Sequence, residues 1–257
     1  MDVPGIPRPV LVALIAVAVV LLAGGGSWAL SWTSRHTDTQ TRTIPASSTI
    51  DIDGQSGDIV VVGSDRSDVL LTTKESRSVF GRPHSHVDLG RGRLRLDGGC
   101  SEFEIWGADG GCSVKYRLEV PRNTTVHLLT RSGDVSAEDL GGDADLATRS
   151  GDVDAIGVLG ALRLQTRSGD VDADSSSPDI DASSTSGDVD VRARNATRVR
   201  AQTTSGDVHV SVPDRTYAVH TRAVSGDEHV DVRVDSHAPR SIDAGTTSGD
   251  VHLSRDG

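Results

Sequence analysis

A tetrapeptide, Ser-Gly-Asp followed usually by Val, recurs along this chain and constrains its fold more than any other feature. From the second copy onward the intervals are 18, 18, 18, 19, 20 and 23 residues. A short and nearly constant period indicates stacked repeats, in which each unit buries its apolar side against its neighbours. The copies begin at Ser56, Ser132, Ser150, Ser168, Ser186, Ser205, Ser225 and Ser248.

Apolar residues alternate with polar ones on both sides of each copy. Before Ser168 the alternating positions are Leu162, Leu164 and Thr166, and after Asp152 they are Val153 and Ala155. Alternation with a period of two is typical of strands with one buried face. Glycine tolerates the backbone angles of a sharp bend, and aspartate can accept hydrogen bonds from nearby amides there. The pattern predicts a strand, a Gly-Asp corner and a second strand.

The period predicts an all-β fold, a β-solenoid built from rungs of 18–23 residues, with equivalent positions about 4.8 Å apart. Only 3% of the residues are aromatic, and small or β-branched side chains fill a narrow core between strands. An antiparallel meander or a sandwich with a repeated hairpin is the alternative.

The N-terminus carries an apolar run, from Val10 to Ala23, that extends with interruptions to residue 30. We interpret residues 1–9 as cytoplasmic, 10–30 as a transmembrane helix or signal anchor, and 31–43 as a linker. A cleaved secretory signal is the alternative, since Ser27-Trp28-Ala29 fits a cleavage site. Either interpretation places the C-terminal part outside the cytoplasm, on the cell membrane or secreted.

Beyond the linker we divide the chain into an N-terminal β region, 44–120, and a repeat region, 121–257. The β region contains Cys100 and Cys112, the only cysteines of the chain. In an exported protein the pair predicts a disulfide, which would contribute about 3 kcal/mol by closing the intervening loop. A redox or metal-binding role is the alternative.

A Val-Pro step at Val120 and Val212, followed by alternating strands and recurrent Ser-Gly-Asp-Val, resembles the bacterial putative-adhesin family of domains of unknown function. The resemblance covers roughly residues 44–257. It implies a β-solenoid-like fold on a bacterial envelope and supplies no catalytic residues. The chain departs from the motif at Glu228, which replaces the inward Val, so the rung at Ser225 is expected to be looser or partly open.

Stacked corners align their aspartates in a column, and neighbouring carboxylates about 4.8 Å apart repel by about 0.9 kcal/mol before screening. Hydrogen bonds from corner amides would offset this repulsion. Calcium is the alternative, but the extra glycines of Ca²⁺-binding repeats are missing, so we predict no cofactor. The corner residues are Asp58, Asp134, Asp152, Asp170, Asp188, Asp207, Asp227 and Asp250.

Two residues beyond each corner lies an outward column with Asp154, Asp172 and Asp190, followed by histidines. Arginines just before three of the serines are candidates to neutralise the aspartates. The histidines are candidates for a divalent-metal or pH-responsive stripe. These histidines are His209, His229 and His252, and the arginines are Arg131, Arg149 and Arg167.

The net charge of −11 argues against nucleic acid as a partner, and no nucleophile, phosphate-loop or zinc-protease motif is present. The sequence therefore predicts a non-enzymatic protein, anchored in the membrane by its N-terminal helix, that binds an envelope protein or polymer or senses the state of the envelope as a stress-related module. One alternative is a secreted β-helix enzyme that cleaves polysaccharide with Asp154 and Asp172. Another is a metal-stabilised structural repeat.

Overall fold

The computed structural model describes residues 36–77, 81–90, 93–102 and 112–256. Within these ranges all regular structure is β-strand, which confirms the predicted all-β class. The strands are β1 (His36–Pro45), β2 (Thr49–Gly54), β3 (Asp58–Ser64), β4 (Asp68–Arg77), β5 (Gly81–Gly90), β6 (Arg93–Glu102), β7 (Ser113–Pro121), β8 (Thr125–Leu129), β9 (Val135–Glu138), β10 (Ala144–Ala147) and β11 (Val153–Ile156). They continue as β12 (Leu162–Gln165), β13 (Val171–Ser175), β14 (Asp179–Ser183), β15 (Val189–Ala193), β16 (Arg198–Gln202), β17 (Val208–Pro213), β18 (Thr216–Ser225), β19 (Glu228–Val230), β20 (Arg233–Val234), β21 (Ser241–Ser248) and β22 (Val251–Asp256).

These strands form two mixed sheets of 11 strands each. Sheet I has the order β1-β4-β7-β3-β9-β11-β13-β15-β17-β22-β19. Sheet II has the order β20-β18-β21-β16-β14-β12-β10-β8-β2-β6-β5. Each rung places one strand in sheet II, turns at a Ser-Gly-Asp corner, and places the next strand in sheet I.

Equivalent residues of neighbouring rungs are paired in parallel and in register. In sheet II Leu146 is opposite Leu164, and in sheet I Val153 is opposite Val171. All four side chains are almost completely buried between the sheets. The apolar residues that alternate with polar ones in the sequence therefore form one continuous, narrow core.

The N-terminal β region continues the same two sheets. β2 and β3 form a rung that pairs in parallel with β8 and β9. Beyond this rung β6 and β7 still pair in parallel with β2 and β3. The pairing then becomes antiparallel, between β4 and its neighbours β1 and β7 in sheet I, and between β5 and β6 in sheet II.

The predicted linker at 31–43 is wrong for residues 36–43, which belong to β1 and pair with β4 over its whole length. The sequence of β1 lacks apolar alternation because it is an exposed edge strand. Its alternate threonines are β-branched and favour the extended backbone.

Two of the sequence predictions fall outside the described residues, wholly or in part. The membrane segment at 10–30 and the cytoplasmic residues 1–9 lie outside them altogether. Within the described ranges, no helix is long and apolar enough to cross a bilayer. Cys112 directly precedes β7, whereas the side chain of Cys100 is not described, so their disulfide stays a prediction.

The order of the last two rungs differs from their order in the sequence. β21 and β22 lie between the rung of β16 and β17 and the rung of β18 and β19. The Ser225 rung is therefore the end of the stack, and all three residues of β19 are exposed. The rungs therefore do not all stack in the order in which their copies occur in the sequence.

Glu228 gives the physical reason for this order. It is paired in register with the fully buried Val251, so its carboxylate occupies an inward position that is open to solvent only at the end of the stack. The carboxylate accepts hydrogen bonds from Thr221 Oγ1 at 2.5 Å and from the Ala223 amide at 2.9 Å. These hydrogen bonds hold the pKa of Glu228 below its ordinary value. An interior rung would leave this charge in an apolar core.

Candidate functional site

The corner aspartates form the predicted column, and each carboxylate binds the next rung. Oδ1 of each aspartate accepts a hydrogen bond from the backbone amide of the aspartate above it. The N···O distances are 3.3 Å at Asp58, 3.0 Å at Asp134 and 2.8 Å at the other five acceptors. In spatial order the column runs Asp58, Asp134, Asp152, Asp170, Asp188, Asp207, Asp250 and Asp227.

A second hydrogen bond joins the rungs at the same corner, and the sequence reasoning missed it. The buried hydroxyl two residues before the serine donates to the glycine carbonyl of the preceding rung. Thr166 Oγ1 reaches Gly151 O at 2.9 Å, and Ser184 Oγ reaches Gly169 O at 2.9 Å. Six of the eight copies therefore extend to Thr/Ser-x-Ser-Gly-Asp, and their polar groups stabilise the stack.

Metal binding gains no support from these corners. Among the residues whose side chains are described, no group of three or more His, Cys, Asp or Glu is arranged to hold a metal ion. The amide hydrogen bonds to the corner carboxylates are the alternative to Ca²⁺ that the sequence analysis named, and they are present at each corner that has a rung above it.

The three candidate histidines lie together on the outer surface of sheet I. The spatial order is His209, His252 and His229, because β22 lies between β17 and β19. The rings of His229 and His252 are stacked with centroids 4.7 Å apart, and those of His209 and His252 are 5.9 Å apart. The rings of His229 and His252 are nearly parallel, at an interplanar angle of 13°, whereas those of His209 and His252 are tilted by 41°.

The outward aspartates of sheet I also lie together. Asp172 is paired in register with Asp154 on one side and Asp190 on the other. Partial burial and the neighbouring carboxylate raise the pKa of both Asp154 and Asp172 above the ordinary value. This proximity follows from the repeat, so it does not by itself indicate a pair of catalytic acids.

The predicted neutralisation of these aspartates by Arg131, Arg149 and Arg167 is wrong. No ion pair joins any of the three to a carboxylate within the described part of the chain. They precede the corner, at the sheet II side, whereas Asp154 and Asp172 follow it in sheet I.

We expect Asp172→Asn to stabilise the fold at pH 7 by about 0.5 kcal/mol, because it removes a carboxylate from between two others. A carboxyl whose pKa is raised by folding destabilises the native state at pH values above that pKa. The advantage of the variant should therefore vanish as the pH falls below about 3.9, the ordinary pKa of aspartate.

Urea denaturation of wild type and variant at pH 7 and pH 3 measures this difference. Asp181→Asn is the matched control, because Asp181 is paired in register with Arg163 and Arg200, and losing its charge should not stabilise the fold. Equal gains in both variants would show that the neighbouring carboxylates are not the cause.

The outer surface of sheet II carries a row in which aspartates alternate with arginine or histidine, and the sequence reasoning also missed it. The row occupies the fifth position before each repeat serine, and register pairs place its members side by side across the sheet. Aligning the repeats on that position would have revealed it. In spatial order it runs Arg93, Asp51, His127, Asp145, Arg163, Asp181, Arg200, Asp243 and His220.

Three adjoining grooves follow this surface, which we call the sheet II face. Their volumes are about 310, 490 and 390 Å³. The first shares Asp53 and Leu129 with the second, and His127 and Asp145 with the third. The second is also lined by Arg131, Arg149 and Arg167. The sheet II face is the candidate functional site.

No curated protein matches the sequence significantly. Among solved structures, a putative adhesin from Bacteroides fragilis superimposes with a TM-score of 0.52 at 17% identity, covering 86% of this chain and 97% of that one. A putative adhesin from Parabacteroides distasonis gives a TM-score of 0.44 at 10% identity, with coverage of 86% and 97%. The first likeness shows a shared fold.

A match of the sequence to a family model identifies the family of this chain. The match agrees with the resemblance to putative adhesins. The match begins just before the end of β1 and ends within β22, so it includes every rung of the stack. Residues 43–254 match the Toastrack DUF4097 family, and this chain belongs to that family.

Proposed function

We propose that this protein is a non-enzymatic module of the bacterial cell envelope, held outside the cytoplasmic membrane by its N-terminal segment. It binds an envelope protein or polymer through the sheet II face. The apolar run from Val10 to Ala23 supports the anchoring, because its length with the residues up to 30 suits a membrane helix. The description of the Bacteroides fragilis structure as an adhesin agrees with this proposal, but at 17% identity that likeness carries only the fold.

The observation that carries the proposal is the continuity of the three grooves along one rigid sheet. Register pairing fixes the spacing of their side chains from rung to rung, so the face presents an ordered array of donors and acceptors. Grooves of this kind, lined by charge of both signs, fit an extended partner. The paired carboxyls Asp154 and Asp172 lie on the other sheet, away from these grooves, and do not support a polysaccharide-cleaving enzyme.

Sedimentation with isolated bacterial cell walls tests the binding. The detergent-solubilised full-length chain should sediment with the walls, and Arg163→Glu should reduce the bound fraction by turning the centre of the charge row acidic. Arg42→Glu, on β1 of sheet I, makes the same charge change and should leave binding intact. An absence of sedimentation, or equal loss in both variants, contradicts the proposal.

The same samples test the other parts of the proposal. The wall material should release no soluble sugar during incubation with the protein. The native protein should occur in the membrane fraction, and its intact mass should include residues 1–30. Release of sugar would contradict the non-enzymatic assignment, and a shorter mass would show that the N-terminal segment is cleaved.

A further inference from the structure

Three arginines form a ladder at the edge of the sheet II face. Arg131, Arg149 and Arg167 immediately precede serines that pair in parallel from rung to rung. The amide of Ser150 donates to the carbonyl of Arg131 at 3.2 Å, and that of Ser168 to Arg149 at 3.1 Å. The arginine positions are therefore about 4.8 Å apart along the stack.

The ladder works against the stability of the rungs that carry it. Neighbouring guanidinium groups repel each other, by up to about 0.9 kcal/mol per pair in water at this spacing. All three arginines are exposed, and none has an ion-pair partner among the described residues, although the chain carries 37 acidic residues and 26 basic ones.

The repeat does not require arginine at this position. The equivalent residue is a threonine in three other rungs, a glutamine in the first and a valine in the terminal one. Those rungs have the same corner hydrogen bonds as the arginine rungs. Arginine is thus confined to three consecutive rungs of the stack, which suggests a role other than folding. The residues at this position in the other five rungs are Gln55, Thr185, Thr204, Val224 and Thr247.

The ladder lines the groove of about 490 Å³ at the sheet II face. Leu129 lies in the same groove with 60% of its surface exposed, so the groove combines cations with an apolar patch. The one carboxylate of this groove, Asp53, is paired with Arg95 at 3.5 Å. The hydroxyls of Thr130 and Thr148 turn inward to corner carbonyls. The guanidinium groups therefore supply the free hydrogen-bond donors of this groove.

We propose that the arginine ladder binds an acidic polysaccharide whose chain runs along the stack, across successive rungs. Each guanidinium can hold one carboxylate through two parallel hydrogen bonds. The rise of a rung is close to the length of one sugar in an extended chain, so the spacing of the arginines matches the repeat of the polymer along the stack. Leu129 packs against the C–H face of a sugar ring. This inference rests on the proposed function and names the polymer for one of its grooves.

Binding of polygalacturonate to the full-length chain, measured by isothermal titration calorimetry, tests this proposal. We expect Arg149→Gln to weaken binding at least 10-fold, because it interrupts the ladder at its centre. Arg149→Lys should also weaken binding, since an ammonium group cannot form the paired hydrogen bonds. Arg42→Gln, with the same loss of charge on an exposed position of β1, should change the affinity less than twofold.

Dextran and inorganic polyphosphate are the comparison polymers. Neutral dextran should not bind. Polyphosphate should bind more weakly than polygalacturonate, because it offers no sugar ring to Leu129. No binding of polygalacturonate, equal loss in the Arg149→Gln and Arg42→Gln variants, or equal affinity for polyphosphate would overturn the assignment. If the Arg149→Gln variant loses polygalacturonate binding but still sediments with cell walls, the proposed function holds and the arginine ladder is not the surface that binds the wall.

Discussion

Replacing Gly187 with alanine is expected to cost at least about 3 kcal/mol in the free energy of unfolding. Gly187 has a φ of 142°, a conformation that side chains rarely adopt. An added methyl group would also overlap the carbonyl oxygen of Gly169 in the neighbouring rung. That carbonyl accepts the hydroxyl hydrogen bond of Ser184, so moving it away breaks a second contact between rungs.

Gly245→Ala is the matched control for this prediction. Gly245 lies inside β21, and a methyl group there would first meet the carbonyl oxygen of Arg222 at 3.3 Å, in the terminal rung, which can shift. We expect a change within about 1 kcal/mol. Urea denaturation followed by circular dichroism measures both variants. Equal costs would mean that the corner imposes no special requirement on its glycine.

The corners and the core could be predicted from the sequence because the repeat displays them directly. Val153 and Ala155 alternate with polar residues, and the structure buries both completely. A period of two fixes which side chains share a face, and a constant period fixes which residues stack. The core positions of the repeat rungs needed no further information.

Other features depend on pairing that the repeat leaves undetermined. β1 has no buried face, so its sequence shows no apolar alternation. It is recognised as a strand only by its pairing with β4. The charge row required knowledge of the register across sheet II, since its members are 18 or more residues apart in most rungs. Likewise, whether Arg131 and Arg149 can reach the outward aspartates depends on which side of the corner each side chain lies.

Rung order is the clearest case. The copies at Ser225 and Ser248 carry the same Ser-Gly-Asp motif, and either could pair with the rung at Ser205 on that motif alone. The difference lies in the inward residues, which are Glu228 and Val230 in one rung and Val251 and Leu253 in the other. Burying Val251 and Leu253 gains apolar contacts, and it leaves the carboxylate of Glu228 at the open end of the stack.

A pair of glutamate substitutions tests this order directly. Leu253 and Val230 are paired in register, but Leu253 is fully buried and Val230 is 40% exposed. We expect Leu253→Glu to lower the free energy of unfolding by about 3–5 kcal/mol, because it places an unpaired carboxylate inside the core. Val230→Glu should cost about 0.5 kcal/mol or less, since its carboxylate can reach water. If the rungs followed the sequence, Leu253 would lie at the open end and the two costs, measured by urea denaturation, would be reversed.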